Sequence, residues 1–272
     1  MQAAKLAILD LYNGTANLGM GSIKEIVNRF KDQLDWEVFD VRAKAEVPDM
    51  SYDIYISSGG PGDPMDGDGV WDAKFYGWMD AVWQWNQDNP QAKKHVFFIC
   101  HSFQMACEHF ELATVTKRKS QSFGTFPVHL TEAGLLDPLL GPLLSPFFVA
   151  DFRDFQVVQP NDEKLNELGA EILALEKIRP HVPLERAVMA VRFSDEIIGV
   201  QFHPEADPEG MRKHFKHSER MYEVISTHGE EKYNQLLQDI NDPEKLERTY
   251  QHVLPGFLNQ ALQALEVKEA MI

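Results

Sequence analysis

Cys100 ends a compact apolar run, His95 to Ile99, and precedes a stretch from about Ser102 to Phe110 with helical spacing. A cysteine at a strand-to-helix junction meets the positive end of the helix dipole and free backbone amides, which suit a thiolate nucleophile. Beside Phe97, Phe98 and Ile99 it also reads as a small core residue, so a base has to be found. The segment Gly199-Val200-Gln201-Phe202-His203-Pro204-Glu205 supplies one. A two-residue separation in extended chain puts His203 and Glu205 on one side, where the carboxylate can orient the imidazole for attack by a thiol. His203-Pro204-Glu205 by itself fits a surface histidine beside a turn proline equally well. The third element is Gly59-Gly60-Pro61-Gly62, a loop able to turn backbone amides toward an oxyanion, although glycine and proline also serve ordinary turns.

The elements that must position these residues follow from apolar spacing. Leu6 to Leu9 is a short apolar run, and Gly19 to Leu34 has helical spacing through Ile23, Ile26, Val27 and Phe30. Trp36 to Asp40 alternates like a strand, Tyr52 to Ile56 is a second apolar run, and Ser57 to Gly69 is a loop rich in glycine, proline and aspartate. A helix over Trp71 to Asn86 leads to the His95 to Ile99 strand. Short β-prone runs follow at Gly124 to Leu130, Phe147 to Phe152, Ile172 to Leu175, Ala187 to Phe193 and Ile197 to Phe202, all of which extend the sheet. Beyond Pro208 the chain reads as helical, with Pro243 and Pro255 as helix starts or kinks. Strands alternating with helices predict an α/β fold with a mainly parallel sheet flanked by helices, and ligands beyond the carboxyl ends of its strands.

Length and composition agree with a folded globular chain. It has 272 residues, 44% hydrophobic and 25% charged. A formal net charge of -16 repels phosphate backbones and anionic membranes, so neither nucleic acid nor a membrane is expected as a partner. The short cluster Lys117-Arg118-Lys119 reads as a solvated strand end or loop. The N-terminus lacks the pattern of a signal peptide, and no run approaches a membrane span. With only Cys100 and Cys107 a disulfide framework is not expected, and a reducing cytoplasm fits. Cys107, two helical turns after Cys100, reads as core. His214 and His217 have no acidic or thiolate partners at ligand spacing, so no metal is assigned.

In this order, a GGPG loop, a nucleophile turn with Gln104 four residues after Cys100, and GVQFHPE resemble the class I glutamine amidotransferases, of the GMP synthase glutaminase-domain type. The resemblance spans roughly residues 1 to 210 and implies a flavodoxin-like fold, leaving 211 to 272 as a C-terminal helical extension packed on it. It also implies that Cys100 attacks the glutamine side-chain amide to form a γ-glutamyl thioester, that His203 moves the proton, and that Glu205 holds His203. The backbone amides of Gly60 and His101 would stabilise the oxyanion, Gln104 would shape the glutamine pocket, and Gly124 matches a stretch lining it. No cofactor is implied. Because the helical segment is short, any ammonia-accepting site would belong to a separate synthetase subunit.

The family's nucleophile turn carries a glycine two residues before and two residues after the cysteine; here Phe98 and Ser102 stand there, which predicts altered packing around Cys100. Two other readings share this fold: a stand-alone hydrolase of γ-glutamyl or related small amides, and a non-catalytic binding module. Ser102 is expected as a helix cap or first-turn residue that could also donate a hydrogen bond near the site. Asp151, Arg153 and Asp154 are expected to form a salt bridge at a strand end. The apolar stripe of the last helices, including Leu236, Leu254 and Leu258, packs on its own domain or offers a surface for a homo-oligomer.

Overall fold

The computed structural model of the chain describes residues 3–181 and 183–271, with side chains through residue 266. The first half runs β1 (Ala4–Asp10), α1 (Leu18–Asn28), β2 (Leu34–Asp40), α2 (Val41–Lys44), β3 (Ile54–Ser57), α3 (Trp71–Asp88), β4 (His95–Ile99) and α4 (His101–His109). Then come β5 (Thr114–Leu130), α5 (Glu132–Leu136), β6 (Phe147–Val158), α6 (Asp162–Leu168), β7 (Glu171–Glu176), β8 (Val188–Ser194) and β9 (Ile197–Val200). The chain closes with α7 (Pro208–Lys216), α8 (Ser218–His228), α9 (Glu230–Asn241) and α10 (Leu246–Met271).

The nine strands lie in the order β2-β1-β3-β4-β9-β8-β6-β5-β7. The first five are mutually parallel, so their carboxyl ends share one edge. The other four add antiparallel, and β7 returns to pair with β8, closing β8, β6, β5 and β7 into a ring. The parallel part is thus confined to one half. In the other half, the short runs expected around Gly124 and Phe147 merge into two long strands. Gly124, at φ 127°, keeps regular register within β5, whose irregularity falls between Lys117 and Ser122.

Alternation along the parallel strands sends side chains to two cores. Leu6, Ile8, Ile54, Ile56, Phe97 and Ile99 face α1 and α10, whereas Ala7, Leu9, Tyr55, Val96 and Phe98 face α3 and α4. α10 is integral to the first core: Val253, Leu254 and Leu258 are fully buried there, and the Phe257 ring packs edge-on to Phe97 at 5.1 Å. Each such side chain contributes about 1.5–3 kcal/mol of burial. α1 ends at Asn28, earlier than its spacing predicts, because Phe30 reaches the same core from the turn that follows and Leu34 from the first position of β2. α7, α8 and α9 form a third cluster over Phe123 and Phe152. Among the described residues no helix is long and apolar enough to cross a membrane.

Candidate active site

Because β1, β3, β4 and β9 are parallel neighbours, the residues that follow them emerge together: Tyr12, Gly59 and Gly60, Cys100, and His203. Cys100 joins β4 to α4 at φ 49° and ψ -97°, a left-handed conformation that costs a β-carbon-bearing residue on the order of 1–3 kcal/mol. The turn is held by its own amide, which donates to the Val200 carbonyl at 2.8 Å, and by the Gln104 amide, which donates to the Cys100 carbonyl at 3.0 Å. This sharp turn aims the thiol into a cavity and leaves the first amides of α4 behind it.

His203 follows β9 and is fixed by its amide, which donates to the Ala150 carbonyl of β6 at 3.0 Å. Its Nδ1 lies 2.8 Å from Oε1 of Glu205, and its ring hydrogen-bonds the Cys100 side chain. Glu205 is buried, with Oε2 lacking a partner among the described residues. Burial opposes charge on the His203 ring. The Glu205 carboxylate and the Cys100 sulfur outweigh it and hold the imidazole well above its usual pKa. The three side chains expected as a triad therefore come together as sulfur, imidazole and carboxylate in series.

The side chains that stand in place of the two turn glycines are both accommodated. Phe98 is buried between Trp78 and Phe193, and opposite it in register on β9 stands Gly199. A β-carbon on Gly199 would lie 2.6 Å from Cδ2 of Phe103 and 3.2 Å from Cβ of Phe98. The neighbouring strand gives the room that the turn does not. Ser102, fully buried, accepts a hydrogen bond from the Ile99 amide at 3.0 Å and donates to the Ser57 carbonyl at 2.9 Å. It acts as a first-turn residue that ties β4 to β3 under the nucleophile.

Gly60 lines the cavity, where a β-carbon would come within 2.6 Å of the Leu11 carbonyl. The same added atom would be 3.3 Å from Cγ of His101, so the glycine loop packs directly on the start of α4. The His101 imidazole is buried beneath it; desolvation, with the nearby Arg42 charge, lowers its pKa to about 3. Gln104 is placed differently from the expectation of a pocket-shaping side chain. It is buried behind Cys100, donating to Gln201 Oε1 at 3.0 Å, and Gln201 in turn points its amide at the Cys100 sulfur at 3.7 Å. Gly124 also lies away from the cavity lining, in β5 beneath Lys232, whose Nζ is 3.2 Å from where a β-carbon would sit.

The cavity at Cys100 holds about 380 Å3 and is lined by the start of α1 from Asn17 to Ser22, by Gly60 and Pro61, by Phe152, and by α7 through Met211, His214 and Phe215. Sequence reasoning missed Tyr12. A β-carbon on Gly59 would be 3.2 Å from the Tyr12 hydroxyl, 3.0 Å from Cε1 of His203 and 3.7 Å from Cβ of Cys100, so the phenol faces the triad. Burial, with the Glu205 and Cys100 charges, pushes its pKa well up and keeps it a neutral hydroxyl. A tyrosine just beyond the first parallel strand was the available signal.

Residues 17–220 match the class I glutamine amidotransferase family. Among solved structures, a glutamine amidotransferase from Thermotoga maritima superposes with a TM-score of 0.67 at 14% identity, covering 97% of this chain and 100% of that one. A protein described as a GMP synthase subunit from Thermoplasma acidophilum gives 0.54 at 18% identity, covering 76% and 87%. The glutaminase domain of Trypanosoma brucei CTPS gives 0.53 at 16% identity, covering 75% and 86%. No curated protein matches. At these identities the superpositions speak for the fold, and the family match over most of the chain decides membership: the protein belongs to the class I glutamine amidotransferases, a family of enzymes that hydrolyse the side-chain amide of glutamine.

Proposed function

We propose that the chain is a cysteine amidohydrolase in which Cys100 opens the side-chain amide of glutamine and releases ammonia. The observation that carries this reading is the series Cys100, His203, Glu205, with the sulfur presented on a strained turn. Cys100 attacks the amide carbon as His203 takes up the thiol proton. Negative charge on the carbonyl oxygen is stabilised by the backbone amides of Gly60 and His101. As the C–N bond breaks, His203 passes its proton to the leaving nitrogen, ammonia departs, and a γ-glutamyl thioester remains. Water then gives a proton to His203 and attacks the thioester, releasing glutamate and the thiol. Glu205 keeps the imidazole in one orientation throughout.

Ammonia made here would serve a synthetase; the likeness to a CTPS glutaminase domain supports that role, and the likeness to a protein described as a GMP synthase subunit supports a partner on a separate chain. A stand-alone amidase is the second reading, favoured by a cavity of about 380 Å3 that runs along α1 and α7 past Cys100, more room than free glutamine requires. The strained turn at Cys100, held with Phe98 and Ser102 packed beside it, supports catalysis over a purely binding role. The test is glutamate and ammonia release from glutamine and from a panel of γ-glutamyl amides. Release that disappears in Cys100→Ala supports the reading, and turnover of larger amides but not glutamine selects the stand-alone amidase. Turnover that survives the substitution overturns both.

A further inference from the structure

On β6, Phe152 lines the Cys100 cavity, and its strand neighbours Asp151 and Arg153 point the other way, into the ring of β8, β6, β5 and β7. There Arg153 Nε lies 2.9 Å from Asp151, and Arg153 Nη2 and Arg118 Nη2 lie 3.4 and 2.9 Å from Glu176 Oε1. These four side chains are almost fully buried. Of the charges expected at a strand end, Asp151 and Arg153 thus sit inside the ring while Asp154 stays exposed, and Arg118, expected in solvent, joins the buried pair. Arg179 reaches the second Glu176 oxygen at 2.7 Å. Arg186 donates to the Glu176 carbonyl at 2.7 Å while its Nη2 is buried without a partner among the described residues.

Two lysines complete the mouth of the ring. Lys177 Nζ is 3.7 Å and Lys232 Nζ 4.7 Å from the centre of the Phe126 ring. Neither has a carboxylate in ion-pair range among the described residues, and Asp239, the acid that Lys232 feels, is already 2.5 Å from Lys245. Burial, together with the Lys232 and Arg179 charges, lowers the Lys177 pKa against the pull of Glu176. β7 pairs with β5 at Val128–Leu130, so Gly124 to Phe126 are not paired with β7; of these, Gly124 and Thr125 are buried and Phe126 is partly exposed.

The cations here outnumber the carboxylates Asp151 and Glu176, in a chain whose net charge is -16 and which has 42 acidic residues to draw on. Holding unpaired like charges half out of water is costly unless an anion joins them. Both ammonium groups lie over the Phe126 ring, and an anion serving both would need several acceptor oxygens. We propose that the mouth of this ring binds a phosphoryl group, held by Lys177 and Lys232 beside Phe126, with Arg179 and Arg186 adding positive potential. The site lies on the far side of β6 from the cavity that holds Cys100, and no cation of the cluster lines that cavity.

The test is titration of the full chain with inorganic phosphate by calorimetry, with sodium chloride at matched ionic strength as the control. The site predicts saturable binding that chloride does not reproduce, weakened about tenfold or more in Lys177→Met with Lys232→Met, and unchanged in Cys100→Ala. Should the double variant fail to fold, Lys232→Met alone, on the partly exposed face of α9, serves for the same comparison. The proposal is overturned by an absence of saturable binding, by binding that the lysine substitutions leave intact, or by binding lost in Cys100→Ala, which would place the anion at the catalytic cavity.

Discussion

Gly199→Ala tests whether β9 provides the space that the nucleophile turn lacks. The glycine is not in the left-handed region, so alanine suits its backbone and would restrict the unfolded chain, a gain of about 0.4–1 kcal/mol. Against this, the new β-carbon would sit 2.6 Å from Cδ2 of Phe103 and 3.2 Å from Cε2 of Phe193, two fully buried rings with nowhere to retreat. Overpacking of that kind costs about 1–3 kcal/mol, so the clash wins and a net loss of about 1–2 kcal/mol is expected. For a chain of this size that lowers Tm by roughly 2–8 °C. Denaturant unfolding of Gly199→Ala, Phe103→Ala and the double variant should show coupling. Gly199→Ala costs stability beside the phenylalanine and is neutral or stabilising once the ring is gone. Equal stability of Gly199→Ala and the wild type, or strict additivity of the two substitutions, would refute the reasoning.

Three further outcomes follow from the site. Ser102→Ala leaves the buried Ile99 amide and Ser57 carbonyl without the bonds they make to the hydroxyl, a loss of about 1–3 kcal/mol in denaturant unfolding. Tyr12→Phe removes a hydroxyl facing the triad and should lower kcat/KM by about threefold to tenfold with the fold intact; unchanged kinetics would exclude the phenol from the reaction. His101 carries an acid limb. Its folded pKa of about 3 lies below the ordinary 6.5, so between these values the unfolded chain holds a proton that the native one does not. Stability is full above about pH 6.5 and falls, by on the order of a few kcal/mol, as the pH drops toward 3. His101→Phe should flatten that limb. His203, raised by its partners, works in the opposite sense: its contribution is present in acid and is lost as the pH rises through its folded value.

Much of this arrangement could be read from local patterns. Apolar runs mark β1, β3, β4 and β9, and the two-residue spacing of His203 and Glu205 already puts imidazole and carboxylate on one side. What local pattern does not carry is pairing between distant strands. Gly199 reads as the first letter of GVQFHPE, and only its register opposite Phe98 reveals it as the space that accommodates that side chain. The Gln104 side chain, expected in the pocket, instead bonds Gln201, ninety-seven residues away, because both are buried behind the sulfur. Arg118 reads as solvated between two lysines, but closure of the antiparallel ring brings it to Glu176. α10 joins the main core through contacts with β4 that its own apolar stripe does not specify.

The central claim is that Cys100 is the nucleophile, activated by His203 and Glu205. Its most direct test is mass analysis of the protein after brief exposure to an electrophilic glutamine analogue, followed by peptide mapping. The account predicts one covalent adduct per chain, on Cys100 and not Cys107, formed far more slowly in His203→Ala and blocked by excess glutamine. An unmodified Cys100, or labelling that ignores both His203 and glutamine, would contradict it.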